Sequence, residues 1–544
     1  MPGIQSTLLQ HDLDFLGRIA RAWDVEISLR DVDSARVDLA GKMLLPDGYR
    51  LFIDTLPENV REAWQNLVRR GGRQTWAEFS RLNGEIRSFG PSKRAREDPD
   101  LHPVSIAESL WYTGLIGRAF FRGAGEPVEH VYIPDELLAF EKPVILEDKL
   151  PVRPAVNQSP RFVSRADSAI LDQLTDLLAA LRMQREIPEE ILTSWKKPRD
   201  FLHGLLLSSG LIDRESLPLP QALKTFFATT REQALLQLYL AWRDSQTTNE
   251  LRMLPGLSCE GNWQNDPLAA RRVLTGLLAR LDAGGTWWSI SSLISGVKET
   301  DPDFQRPAGD YDSWFIRDVE SGAFLNGFES WPRVEGALLY FLLTGPLHWL
   351  GVVNLARGSA EGRYTAFQLV NLTRGMLTGE APATELKEKQ PIKVKDVCHF
   401  IIPVGAPRML RYQVGRFTEL VSASARESRY LLTTRSLKAA AEQELHPGQL
   451  LQLLEKEQPG IVPAELRKME QRWSLKGQEA GFERVILLRF SEPADCDEFL
   501  KAAGSRFNLE QLNPRTLVIQ QLQEAGIIKL LNELGILLDR SADV

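Results

Sequence analysis

Apolar residues return every three or four positions along most of this 544-residue chain, a spacing that constrains its fold more than any other feature. Within 56–72, Val60, Trp64, Leu67 and Val68 fall on one face of a helix, and Gly71 and Gly72 supply its stop. The same spacing predicts helices over 75–82, 105–115, 170–181, 201–207, 233–242, 449–454, 497–503 and 522–534. Strands are the minority, over 129–134, 397–404, 485–490 and 516–520. A single core of ordinary size does not hold so many residues. The expected fold class is therefore mainly α with α+β parts, multidomain, with winged-helix-like modules.

Prolines at 143, 151, 154 and 160 mark a linker at 150–165, and a second break is expected at 378–392. These divide the chain into an N-terminal helical, winged-helix-like domain (1–150), a central helical domain with a winged helix (165–385) and a C-terminal domain (390–544). Helices followed by a short extended hairpin give the order of a winged helix in the first. Phe367-Gln-Leu-Val-Asn-Leu-Thr-Arg-Gly reads as the strand and turn of a wing in the second. The end of the chain reads as a small β-α-β-α unit. No repeat at a fixed period is visible.

A hydrophobic fraction of 43% with 25% charged residues is ordinary globular composition. The 65 Lys and Arg against 72 Asp and Glu leave a net charge of −7, which excludes a generally basic nucleic-acid coat but not a local patch. Cys259, Cys398 and Cys496 are too widely spaced for a metal pair or a disulfide framework. No basic segment leads into a long apolar run at the start. The longest apolar stretch, 336–343, is interrupted by Thr344, Gly345 and Pro346, well short of the ~20 residues of a membrane span. The reading is a soluble, cytoplasmic protein with no membrane partner.

Phosphate-cradling GxxxxGK[ST] is absent, as are GxGxxG, HExxH and GxSxG. We therefore expect no enzyme, no catalytic residues and no cofactor. Three weaker constellations stand in place of such motifs. Asp135 with Glu147, Asp148 and Lys149 imitates the spaced carboxylates and lysine of metal-dependent nucleases, but reads more simply as a solvated loop beside the linker. Four carboxylates in 301–312 lack the spacing of a calcium loop, and their proline and aromatic neighbours suggest a rigid loop pinned to a core. Cys398 and His399 are adjacent on a strand and point to opposite faces, a poor metal pair. No metal site is expected.

The remaining signal is electrostatic. Between 61 and 96 lie Arg61, Arg69, Arg70, Arg73, Arg81, Arg87, Lys93, Arg94 and Arg96, opposed only by Glu62, Glu78 and Glu85, a local balance of +6. Trp76 and Phe89 are interleaved. Phosphates favour such cations, and exposed rings stack bases. Arg69, Arg70, Arg73, Arg81, Arg87, Lys93, Arg94 and Arg96 are the candidate nucleic-acid contacts, DNA being the expected partner. The competing reading makes them a solvated face or the partners of the chain's many carboxylates. Arg408, Arg411 and Arg416 form a second, smaller group.

Further along, Val397-Cys-His-Phe-Ile-Ile-Pro-Val, Leu410-Arg-Tyr-Gln-Val-Gly-Arg-Phe and Tyr430-Leu-Leu-Thr-Thr-Arg-Ser-Leu-Lys-Ala-Ala follow one another. Leu450-Leu-Gln-Leu-Leu-Glu, Val462-Pro-Ala-Glu-Leu, Trp473 and the strand at 485–490 come next. This order, over about 390–544, resembles the helicase-associated domain of XPB-type helicases and of stand-alone bacterial proteins that lack the ATPase core. Gly71-Gly-Arg-Gln-Thr-Trp-Ala-Glu-Phe-Ser-Arg, Glu108-Ser-Leu-Trp-Tyr-Thr-Gly-Leu-Ile-Gly-Arg and Val131-Tyr-Ile-Pro-Asp resemble the helical part accompanying that domain. Trp331-Pro-Arg-Val-Glu-Gly and Gly345-Pro-Leu-His-Trp-Leu-Gly resemble the same group. The resemblance implies a non-catalytic accessory protein that binds DNA. The alternative is a scaffold that docks a separate helicase or nuclease without touching nucleic acid itself. Either way, the purified chain is expected to hydrolyse no ATP, with or without DNA. Turnover that persists through purification and disappears on changing a residue of this chain would overturn that.

Overall fold

The computed structural model describes the chain except for residues 122–126, 142–151, 283, 307–308, 371–373, 381–387, 479, 481–484 and 540–544. The described residues form two compact units, Met1–Pro463 and Ala464–Val544. Helix outweighs strand, and the described strands make small antiparallel sheets.

Within the first unit, an N-terminal core runs from Ile4 to Leu137. Helix Glu58–Arg69 buries Val60, Ala63, Trp64 and Leu67, as its apolar spacing requires. Gly72 ends it with φ +76°, and a Cβ there would stand 2.7 Å from Leu138, so only glycine fits. Strand Arg73–Thr75 follows. Thr75 caps helix Trp76–Asn83, and Ser105 caps helix Ile106–Tyr112. The module closes with the hairpin Gly117–Phe121 and Val128–Tyr132. Its first strand does not pair with the second but with the last, Arg73 lying opposite Tyr132.

That connection recurs. Helix Pro267–Arg280, strand Trp288–Ser289, helices Ile290–Thr300 and Glu335–Thr344, and the hairpin Val353–Arg357 and Tyr364–Leu369 repeat it, with Trp288 opposite Phe367. A shorter version joins strand His399–Pro403, helix Arg408–Phe417 and the hairpin Glu419–Ala423 and Glu427–Leu431. The second unit carries another: strand Ile486–Arg489, helix Pro493–Ala503, then Glu510–Asn513 and Thr516–Ile519. In these four sheets the strand before the helix pairs with the last strand of the hairpin. The repetition lies in the connectivity, so a search for recurring letters finds none.

The expected linker at 150–165 is built into the central sheet where it is described. Ala155 donates its N–H to the Trp287 carbonyl at 2.7 Å, and Phe162–Ser164 forms an edge strand beside Val353–Arg357. Four prolines suggest a linker, but an edge strand tolerates proline because one side of its ladder is unpaired. Around the second expected break, 381–387 lie outside the described residues, while Glu388 accepts from Arg231 at 3.2 Å and from the Arg408 guanidinium at 2.5 Å. The turn of the central hairpin falls at 358–363, before Phe367 rather than after it. Strand Glu510–Asn513 also departs from the expected β-α-β-α order. All four of its residues are exposed, so it lacks the alternation that marks a strand.

Arginines hold the first unit together from inside. Arg231, Arg271, Arg306, Arg408 and Arg411 are each no more than 2% exposed. Arg411 reaches Asp176 at 3.3 Å, Ser428 and Tyr430 at 2.9 Å and the Pro403 carbonyl at 3.0 Å. It thereby ties helix Ala169–Arg182 to helix Arg408–Phe417 and strand Glu427–Leu431. Removing one partner of a buried ion pair strands the other without water. Arg411→Met is expected to destabilise the first unit by about 3–5 kcal/mol in urea unfolding. A loss no larger than the ~1 kcal/mol of a surface pair would mean the network contributes little.

His11 offers a pH handle on the N-terminal core. It is 7% exposed and stacks on Phe15 at 4.0 Å. Burial, and then the nearby Arg94 guanidinium, bring its pKa from 6.5 down to about 4. The unfolded chain therefore binds the proton first as pH falls. The stability from neutral His11 is complete above about pH 6.5 and is lost between there and about pH 4, a span worth about 3 kcal/mol. His11→Phe is expected to flatten the stability–pH curve over that window, and an unchanged curve would exclude His11 as the cause.

Candidate nucleic-acid interface

The eight cations expected to contact nucleic acid do not form one continuous exposed face. Arg94 is buried and bonds Asp12 at 2.7 Å. Arg87 grips Glu108, a fully buried carboxylate, through Nε at 2.9 Å and Nη2 at 2.7 Å. Arg81 makes a bidentate pair with Asp303 at 2.9 and 3.0 Å, joining the N-terminal module to the central one. Arg70 pairs with Glu78 and donates to the Glu299 carbonyl at 3.2 Å. Arg96 pairs with Glu97 at the surface. Arg69 bonds Asn66, Arg73 lies 4.9 Å over Phe121, and Lys93 lies 5.2 Å over Phe89. Each interleaved ring has a cation over one face: Arg118 sits 3.9 Å over Trp76, and Arg87 sits 5.0 Å over Phe89.

The other constellations resolve into structural roles where they are described. Asp303 accepts from Arg81 and from the Tyr311 hydroxyl, and Asp310 accepts from the N–H groups of Asp312 and Ser313. Tyr311 and Trp314 pin this loop to the central core. His399 is exposed and pairs with Asp396 at 2.9 Å, whose pKa is pulled down to about 2 by the N–H groups of Cys398 and His399 and then by the imidazole. Asp135 heads helix Asp135–Phe140, while Glu147, Asp148 and Lys149 lie outside the described residues. No group of three or more metal-ligating side chains occurs among the described residues.

An unopposed basic groove lies elsewhere, beside the central sheet. It measures about 740 Å³ and is lined by Arg161, Arg165, Lys196, Lys197 and Arg357, against a single carboxylate, Asp167. Edge strand Phe162–Ser164 is flanked by the first two arginines. Helix Glu189–Ser194 leads into the two lysines, and Arg357 ends a hairpin strand. The turn residues Ser424 and Ala425 close one side. Arg161, Arg165 and Lys196 are exposed, and among the described residues none of these three nor Arg357 is held in an ion pair. Asp167 is partly occupied in capping, accepting from Ala169 N–H at 2.9 Å.

The groove also has an aromatic wall. Trp349 and Tyr364 line it, with Lys197 Nζ 5.9 Å from the Trp349 ring and Arg357 5.6 Å from the Tyr364 ring. Burial lowers the Lys197 pKa to about 8, against the pull of Asp167. His348 bonds the Val353 carbonyl at 2.8 Å and Ser164 at 3.1 Å, and burial lowers its pKa. A cationic concavity with low-dielectric walls concentrates anions, phosphodiesters among them.

Sequence reasoning missed this groove because its cations come from stretches up to 196 positions apart, from Arg161 to Arg357. The one local signal was a cation at each end of the short run Arg161-Phe-Val-Ser-Arg165, as charges often guard an edge strand. No protein-family model matches the chain, and no curated protein matches it.

Proposed function

We propose that this chain is a non-catalytic accessory protein that binds nucleic acid through the basic groove of its central module. The observation that carries the reading is the groove's charge: five cations against one carboxylate, in a chain of net charge −7 whose other arginine clusters are largely neutralised internally. The connectivity supports it. Helix, strand, two helices and a hairpin, with the first strand paired to the last, is the order of a winged helix, a common nucleic-acid-binding arrangement. The resemblance of 390–544 to the helicase-associated domain of XPB-type helicases points the same way, toward DNA handled beside a separate motor.

A winged helix usually places its third helix in the major groove. Here that helix is unavailable in both full modules: no residue of Ile106–Tyr112 or Glu335–Thr344 is exposed. Binding therefore falls to the edge strand, the hairpin and the lysines after Trp195. Arg69, Arg73, Lys93 and Arg96 add a secondary contact at most.

The test is fluorescence anisotropy with labelled DNA at several salt concentrations. Arg161→Ala/Arg165→Ala/Lys196→Ala is expected to weaken binding and to flatten the slope of log affinity against log salt by up to about three units, since each lost phosphate contact releases about one counterion fewer. Arg69→Ala/Arg70→Ala/Arg73→Ala should change the slope less. The groove variant alters exposed side chains outside ion pairs and should stay folded, whereas the other also removes the bonds of Arg70 to Glu78 and the Glu299 carbonyl, so its fold is checked by its melting curve. A folded groove variant with native affinity and slope refutes the proposal and favours the scaffold that docks a helicase or nuclease.

A further inference from the structure

A second concavity of about 780 Å³ adjoins the basic groove, with Thr344 and Tyr364 in the walls of both. Its lining differs in chemistry. Gly336, Ala337, Tyr340 and Phe341 of helix Glu335–Thr344 form one side, with Ile294 and Leu257 nearby. Charge is muted here: Arg333 is paired with Asp318, and Arg363 lies 4.6 Å over the Tyr340 ring. Tyr340 and Phe341 are half-buried, and the Tyr340 hydroxyl accepts from the Tyr364 N–H at 3.0 Å. A cationic concavity and an aromatic one therefore meet at Tyr364, forming the two ends of one trough.

We propose that this trough takes a single-stranded polynucleotide, with phosphates against Arg161, Arg165, Lys196 and Arg357 and unstacked bases against Tyr364, Tyr340 and Phe341. The inference rests on the nucleic-acid reading above and adds the form of nucleic acid. A duplex hides its base faces and is read by elements that protrude into a groove about 12 Å wide. The helix that would protrude exposes no residue and forms the floor of the trough instead. A single strand presents what the trough complements, phosphates for its cationic end and unpaired flat bases for its aromatic end. Stacking is tolerant of sequence, so the ligand is defined by strandedness rather than by a base code.

The experiment uses the full chain with a labelled oligo(dT) 20-mer, the same length of oligo(rU), and a 20-base-pair duplex. The single strands should bind more tightly than the duplex, and the dT and rU arms separate DNA from RNA as the source of the same chemistry. Tyr340→Ala and Tyr364→Ala should each weaken oligo(dT) binding by about tenfold, the loss of one stacked base, with the salt slope unchanged. Tyr340→Phe should lose less affinity than Tyr340→Ala, since it keeps the stacking ring and gives up only the hydroxyl that accepts from the Tyr364 N–H. Should an alanine variant fail to fold, ultraviolet cross-linking of a 5-bromouracil oligonucleotide to the natural chain replaces it, with adducts expected on Tyr340, Phe341 or Tyr364. Equal affinity for duplex, indifference of oligo(dT) to both tyrosine variants, or adducts only elsewhere would overturn the single-strand inference. If the Arg161/Arg165/Lys196 variant still loses binding in those cases, the nucleic-acid reading stands. Absence of binding to every probe brings both down.

Discussion

One buried arginine ties together two elements that lead into the basic groove. Arg411, fully enclosed, bonds Asp176 on the central helix Ala169–Arg182 and Ser428 and Tyr430 on the hairpin Glu427–Leu431. That helix starts just after Arg165 and Asp167, and the hairpin that ends in Glu427–Leu431 turns at Ser424 and Ala425, so the guanidinium joins the elements behind two of the groove's edges. Arg408 and Arg231 extend the network through Glu388 and Asp172. Ions buried in this way contribute little net stability over an apolar core, but each must find its own partner, and misregistered packings are penalised. On this view the network acts chiefly on geometry, keeping unpaired cations outside while paired ones lie within.

The same economy explains why the third helices are closed off. In the N-terminal module, Glu108 on helix Ile106–Tyr112 receives Arg87 and the Val104 N–H from the segment that connects the second and third helices. In the central module, Glu335 at the start of helix Glu335–Thr344 receives Arg306 at 2.6 Å from the corresponding segment. Each carboxylate is almost completely buried, and each draws an inserted connection across its helix. Modules that share a connectivity thus share a device that removes the third helix from solvent. What each keeps exposed is its strand edges and turns.

Much of the secondary structure was legible because apolar periodicity is local. The faces of Glu58–Arg69 and Ala169–Arg182 can be read within a dozen residues, and their buried side chains are the ones the spacing selects. Strand Glu510–Asn513 was not legible, since its residues are solvent-exposed and its existence depends on Thr516–Ile519. The divisions were read less well. Proline in 154–160 signals a linker only when no neighbouring strand is in view, and the pairing of Phe162 with Arg357 spans 195 positions. The candidate site suffered in the same way. A run such as Arg69 to Arg96 shows cations but hides their partners, because Asp12, Glu108 and Asp303 come from elsewhere in the chain.

Charge count and charge availability are therefore different quantities in this protein. An arginine-rich stretch inside an acidic chain has a high chance of meeting carboxylates as the chain compacts, since a buried guanidinium without a partner is costly. The cations left over are those on edges, where the neighbouring backbone is unpaired and no second layer packs. Arg161 and Arg165 flank an edge strand, and Lys196 follows a short helix that ends at the surface. Charged residues on a sheet edge also block strand addition by another chain. If the groove holds a polyanion, one set of side chains serves both purposes: it guards the edge when the groove is empty, and it grips phosphate when it is filled. The apolar continuation beside Tyr340 then needs no separate partner, because the ligand that neutralises the edge brings its own flat faces to cover the rings.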